Sequence, residues 1–179
     1  MGHRRWRLLI GILATWLAAG TAWGQSLEDV LMPGKVIAGH AKYEQECGSC
    51  HLAYHPSLLP ERSWKAMLAD QHDHFGEDLG LSEATEATLL AFAAKHAAEH
   101  GESPVAWKIN QAIPPTETPA KITETRYWQR RHRSLSETVW RNVPRSDCGA
   151  CHHDAQDGSF TPGAIDIPSS FRNSQGKPK

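Results

Sequence analysis

The sequence predicts a mainly α-helical protein. Apolar residues recur at helical spacing before residue 101 and again from about 125 to 142. Serine, proline and glycine stand where those stretches begin and end. No alternating or β-branched strand pattern precedes either of the two cysteine pairs in the chain.

The elements follow in order. Residues 1–24 read as a secretory signal: Arg4, Arg5 and Arg7 form a positive start, and an apolar run from Leu8 ends at Ala19. Ala22 and Gly24 then sit at the small-residue positions of a cut before Gln25. The alternative is a retained N-terminal anchor, but spanning needs about 20 apolar residues and this run is shorter. No other stretch is apolar enough to enter a membrane, so the mature chain is expected to be soluble beyond it. A first helix is expected to run over 34–51, with Val36, Ile37, Ala41 and Tyr43 as its apolar positions. Leu58-Leu59-Pro60 opens a second, with Trp64, Met67, Leu68 and Gln71 turned inward and Gly76 as its stop. Ser82 caps a third that runs to about His100, with Leu89, Phe92, Ala93 and Ala97 as its buried stripe. Between 102 and 119 four prolines suggest an extended linker or a wrap over the surface. Helical character returns over 125–142, and Asp157-Gly158, Pro162-Gly163 and Pro168 read as turns.

The chain has 19 basic and 20 acidic residues. Three of the basic ones lie in the leader, which leaves 16 and a mature charge of about −4. That balance argues against nucleic acid as a partner. Charge is also uneven along the chain: residues 61–102 hold nine acidic and three basic side chains, and residues 121–145 hold seven basic and two acidic. Solvated faces or a docking surface could account for this.

The four cysteines form two pairs, Cys47-Gly48-Ser49-Cys50 followed by His51, and Cys148-Gly149-Ala150-Cys151 followed by His152. C-x-x-C-H is the attachment sequence for c-type haem. Two thiols three positions apart lie on one side of a turn, where they can add to the two vinyl groups of one porphyrin. The adjacent histidine then reaches the iron as a proximal ligand. Redox-active disulfides of the thioredoxin kind would need a preceding strand. A zinc site would place the pairs about 15–20 residues apart, and these are about a hundred apart. Two covalently bound haem c groups are therefore expected, held by Cys47, Cys50, Cys148 and Cys151, with His51 and His152 on the irons.

The distal ligands decide what such haems can do. Met32 and Met67 are the methionines beyond the leader, and Met67 is expected to pack on a helix face. The chain holds 11 histidines, which favours histidine on both faces of each iron. For the first haem His74 stands at the end of a helix before a tight turn, with His72 beside it and His96 as the competitor. His55 is too close to His51 to cross the same ring. For the second, Trp128, His132, Leu135 and Val139 share one helical stripe, and His132 is the last histidine upstream of the motif. His153 diverges from His152 by about 100° on a helix and cannot share its iron.

These residues carry a family resemblance. Cys47-Gly-Ser-Cys-His-Leu-Ala-Tyr, Leu58-Leu-Pro-Glu-Arg-Ser-Trp and His74-Phe-Gly-Glu-Asp resemble the bacterial dihaem cytochrome c family. So do Ile122-Thr-Glu-Thr, Tyr127-Trp128 with His132, the second motif, Asp157-Gly-Ser-Phe and Ile165-Asp-Ile-Pro. The match spans about residues 40–168 and departs from the usual pattern at His55 and His153. It implies a class I cytochrome c-like domain over 25–103 and a small irregular haem domain over 104–179. It implies bis-histidine, low-potential haems, with His51 paired to His74 and His152 to His132. It also implies a periplasmic electron carrier, not an enzyme. Its partners would be a small oxygen-binding monohaem cytochrome and a membrane b-type cytochrome fed by quinol. The contrasting reading is one open iron, which would bind O₂ or NO or act as a peroxidase.

Overall fold

Helix ends fall where the sequence supplies caps. The computed structural model describes residues 39–167, so the signal read at 1–24 lies outside the described residues. Among those residues six α-helices follow one another: α1 (His40–Cys47), α2 (Glu61–Ala69), α3 (Glu83–Lys95), α4 (Pro104–Ala112), α5 (Arg126–His132) and α6 (Glu137–Asn142). Short 3₁₀ turns join them, and the described residues include no strand. The mainly α fold expected from the sequence is the one observed.

Side-chain oxygens cap α3, α4 and α5: Ser82 accepts from the Thr85 N–H, Ser103 from Ala106 and Thr125 from Trp128. Pro60 immediately precedes α2, and Pro104 occupies the first turn of α4. Proline fits there because the first helical N–H groups have no partner to lose.

Tyr43 of α1, Trp64 of α2 and Phe92 of α3 converge in one aromatic core. The Tyr43 ring lies 5.0 Å from Phe92 and 6.2 Å from Trp64, the latter edge-on. Their polar tips are satisfied as burial requires: Tyr43 Oη donates to the Tyr54 carbonyl at 2.6 Å, and Trp64 Nε1 to Pro56 at 2.7 Å. Leu68 of α2 and Leu89 and Ala93 of α3 are buried as well. The expected stripe of α3, Leu89, Phe92, Ala93 and Ala97, is buried throughout. Met67 is half-buried, and inward-facing Gln71 holds the following loop. Its amide donates to Glu86 Oε2 at 3.0 Å while its side-chain oxygen accepts from the Leu81 N–H at 2.8 Å.

A second cluster gathers Leu58, Ala98, Ile109 and Ile113, with Tyr54, Ile122, Tyr127 and Phe160 packed against it. It ties α4 to the Pro56–Leu58 turn on one side and to the second cysteine motif's surroundings on the other.

Two expectations fail in instructive ways. The 102–119 stretch is not simply a linker, because α4 forms within it. Ser103 and Pro104 are a cap and first turn, and Ala106, Ile109 and Ile113 face inward at helical spacing. The 125–142 stretch is two helices, α5 and α6, with Leu135 in the bend between them. Ser136 precedes α6 as its N-cap residue and restarts the helix.

Candidate haem centres

Each C-x-x-C-H motif sits on a short helical turn. Cys47 ends α1, and the Gly48 N–H caps it by donating to the Glu44 carbonyl. Cys148–Ala150 is a 3₁₀ turn whose Asp147 carboxylate accepts from the Ala150 N–H at 3.2 Å. No disulfide joins any of the four cysteines. Burial pushes the Cys47 thiol up to about 11, with Glu46 adding to it. Cys148 is also pushed up to about 11, by burial and then by Asp147, and Cys151 is raised for the same reasons. Redox and metal-binding cysteines have depressed values. These thiols are the opposite case: burial disfavours the thiolate on which disulfide exchange depends.

The histidines fall into two facing pairs. The His51 and His74 ring centres lie 6.2 Å apart with planes 19° from parallel. Those of His132 and His152 lie 6.1 Å apart at 74°. Two imidazole nitrogens on opposite sides of one iron, each bonded at about 2 Å, put the ring centres about 6 Å apart.

The local backbone explains how each ring is held. His74 exchanges backbone hydrogen bonds with Glu77, donating at 2.8 Å and accepting at 3.3 Å, across a turn where Phe75 (φ 58°) and Gly76 (φ 100°) are both left-handed. His152 lies in an isolated bridge to Ile165: the next N–H, of His153, donates to Ala164 at 3.0 Å, and that of Asp166 to Cys151 at 2.9 Å. In each pair one ring is anchored. His51 Nδ1 donates to the Leu52 carbonyl at 2.7 Å, and His132 Nδ1 donates to the Trp128 carbonyl at 2.9 Å. A carbonyl can only accept, so both rings keep Nε2 as the free lone pair, the arrangement metal-ligating histidines use. The other ring of each pair, His74 or His152, has a buried Nδ1 with no hydrogen-bond partner. Burial first, then the facing ring, holds His74 and His152 below the usual histidine range. Burial likewise lowers His132, with Arg131 adding to it and the Trp128 hydrogen bond opposing. The neutral imidazole, the form that binds a metal, is thereby favoured.

Among the described residues no three His, Cys, Asp or Glu side chains converge as a metal site. Two opposed imidazoles per iron need a macrocycle to supply the remaining donors. Paired rings, buried nitrogens without partners and adjacent thiols all fit haem.

The other histidines are elsewhere. His72 pairs with Asp78 at 3.0 Å on the surface. His96 caps the end of α3 and packs against Phe92 at 4.8 Å. His55 Nδ1 accepts from the Ser57 N–H at 3.2 Å, and His153 is exposed. Four aromatic neighbours of the pairs carried no separate signal in the sequence. Tyr54 stacks on His51 at 5.0 Å, Phe75 meets His74 at 4.8 Å, Trp140 approaches His132 at 6.0 Å and Phe160 meets His152 at 5.2 Å.

A helical chain with two such centres defines a c-type cytochrome carrying two haems. The family model described as Dihaem cytochrome c matches residues 43–160. A diheme cytochrome c from Rhodobacter sphaeroides is similar at 34% identity and a TM-score of 0.61, over 67% of this chain and 95% of that one. A diheme cytochrome type c from Shewanella baltica OS155 is similar at 31% identity and 0.58, over 74% and 96%. No curated protein matches. The chain belongs to the dihaem cytochrome c family, and it carries two covalently bound haem c groups.

Proposed function

We propose that the chain is a periplasmic electron relay with both haems bis-histidine ligated, one by His51 and His74 and the other by His152 and His132. Cys47, Cys50, Cys148 and Cys151 are the thioether positions in this reading. The carrying observation is the pair of ring separations, 6.2 and 6.1 Å, each suited to one iron between two imidazoles. A haem held by two histidines would supply one-electron exchange and would leave no open iron for an exogenous ligand. The chain's own residues do the rest. His51 and His132 are oriented by backbone carbonyls, and aromatic rings pack beside both pairs. Two histidine ligands favour a lower potential than a histidine and a methionine would.

An upstream membrane b-type cytochrome fed by quinol and a downstream soluble haem protein, such as an oxygen-binding monohaem cytochrome, complete the proposal. The likeness to dihaem cytochromes supports a carrier rather than an enzyme. No helix of the described residues is long and apolar enough to cross a membrane. The test is the EPR spectrum of the oxidised holoprotein together with CO binding by the reduced form. Low-spin signals alone and no CO adduct are expected. A high-spin signal, or CO bound at either iron, would overturn bis-histidine ligation at that site.

A further inference from the structure

Between α4 and α5 runs an open groove of about 290 Å³, lined among others by Trp107, Lys108, Tyr127, Arg130 and Arg131. Trp107 is 62% exposed, more than any other large hydrophobic side chain among the described residues. The groove's three cations are exposed, and none has an ion-pair partner among the described residues. Other cations of the same basic stretch are occupied: Lys121 pairs with Glu124 at 3.9 Å, and Arg145 with Glu137 at 3.3 Å. Three cations without an ion-pair partner among the described residues thus stand together around one exposed tryptophan; Arg126, Arg133 and Arg141 also form no ion pair there but lie outside the groove. Tryptophan, tyrosine and arginine are the residues that dominate binding energy at protein interfaces.

The groove also lies close to the second centre. α5 carries Arg130 and Arg131 and ends at His132, and the charge of Arg131 is felt at both His132 and His152.

We propose that this groove is the docking face for an acidic redox protein, which seats a protrusion against Trp107 and meets Lys108, Arg130 and Arg131 with carboxylates. Charge complementarity selects that occupant. The chain's own segments outside the described residues are not attracted here: residues 1–38 carry four basic and two acidic side chains, and residues 168–179 carry three basic and none acidic. A concave, aromatic-walled groove suits a protruding protein surface better than a flat lipid surface. The event at this face is a one-electron exchange, in which the partner loses an electron and one ferric iron gains it, with no atom transferred.

The inference rests on the relay reading, and the experiment separates the two. Oxidised holoprotein is mixed in a stopped-flow instrument with reduced [2Fe–2S] ferredoxin, an acidic protein, and separately with a neutral flavin semiquinone. Lys108→Glu/Arg130→Glu should slow reduction by ferredoxin about tenfold at low salt and flatten its salt dependence. Trp107→Ala should slow it at every salt concentration. The flavin rate should not change in either. Arg131 is left intact because its charge reaches the second centre. Lys121→Glu/Arg145→Glu, an equal charge reversal outside the groove, should have a much smaller effect. Equal losses in both double variants, or none in either, would overturn the groove. So would groove-dependent sedimentation with phosphatidylglycerol vesicles, or groove-dependent dimerisation, with ferredoxin kinetics unchanged. If the neutral flavin fails to reduce the wild-type holoprotein, the relay reading falls, and the groove proposal falls with it.

Discussion

The Tyr54 hydroxyl donates to the Ser146 carbonyl at 2.5 Å, across 92 residues of sequence. The same ring stacks on His51 at 5.0 Å, 28° from parallel. One side chain therefore touches the first histidine pair and the strand of chain that enters the second cysteine motif, two residues before Cys148. Tyr54→Phe keeps the ring and removes the bond. It should lower stability by about 1 kcal/mol and Tm by about 4 °C while both haems stay low-spin. Tyr54→Leu should in addition shift the EPR g-values of one haem, because His51 loses its stacking partner. An unchanged Tm in Tyr54→Phe would show that the bond contributes nothing to fastening the two motifs.

His132 is held by more than its place in a pair. Its ring stacks on Trp128 at 4.3 Å, and its Nδ1 is tied to the Trp128 carbonyl. His132→Ala should leave both haems attached, since the thiols are untouched, and open one iron. Half of the haem should turn high-spin and bind CO in the reduced state. His74→Ala should do the same at the other haem. If His132→Ala leaves both haems low-spin, the distal ligand of the second is some other residue.

Much of this was legible because it depends on local chemistry. The two C-x-x-C-H motifs announce themselves by spacing, and Leu89, Phe92, Ala93 and Ala97 mark α3 by period. His132 was legible for a partly mistaken reason. The stripe joining it to Leu135 and Val139 assumed one helix, whereas the chain bends at Leu135 and Ser136 begins another. What survived is the Trp128–His132 contact, which lies within one turn of α5. α4 was hidden because Pro104 looks like a breaker unless Ser103 is read with it as a cap. Tyr54 and Phe160 were beyond reach for a different reason. Tyr54 reaches Ser146, 92 residues on, and Phe160 packs on the cluster that holds Leu58, and no periodicity reports such contacts.

The histidines outside the pairs give the fold a pH dependence. Burial first, then the charges of His96 and His40, hold His55 below the ordinary histidine value of 6.5, with Asp157 opposing. Burial, Lys95 and His40 lower His96 from the same value. Unfolding frees both groups to take up a proton near pH 6.5, where the folded state does not. The unfolded state then binds more protons, so stability present above pH 6.5 is lost as the pH falls below it. Thermal unfolding of the holoprotein should show Tm declining from pH 7 towards pH 5. In His55→Asn the decline should be shallower, and an identical profile would remove His55 as a source.

Gly158 closes the structure from the other side of the second motif. Its φ is +65°, and a Cβ there would lie 2.4 Å from His55 Cγ and 2.7 Å from His55 Nδ1. Tyr54 meets the chain just before Cys148, and His55 meets it just after His152. Two consecutive residues thus bracket the second haem motif, and Gly158 is what lets the imidazole approach. Gly158→Ala carries two separable penalties. The left-handed backbone costs a non-glycine residue about 1 kcal/mol or more, and the methyl group collides with the ring. Denaturant unfolding of Gly158→Ala, His55→Ala and the double variant should be strongly non-additive. The double variant should recover the collision but keep the backbone cost. Simple additivity of the two losses would mean that His55 does not pack on Gly158 in solution, and the bracket would then reduce to Tyr54 alone.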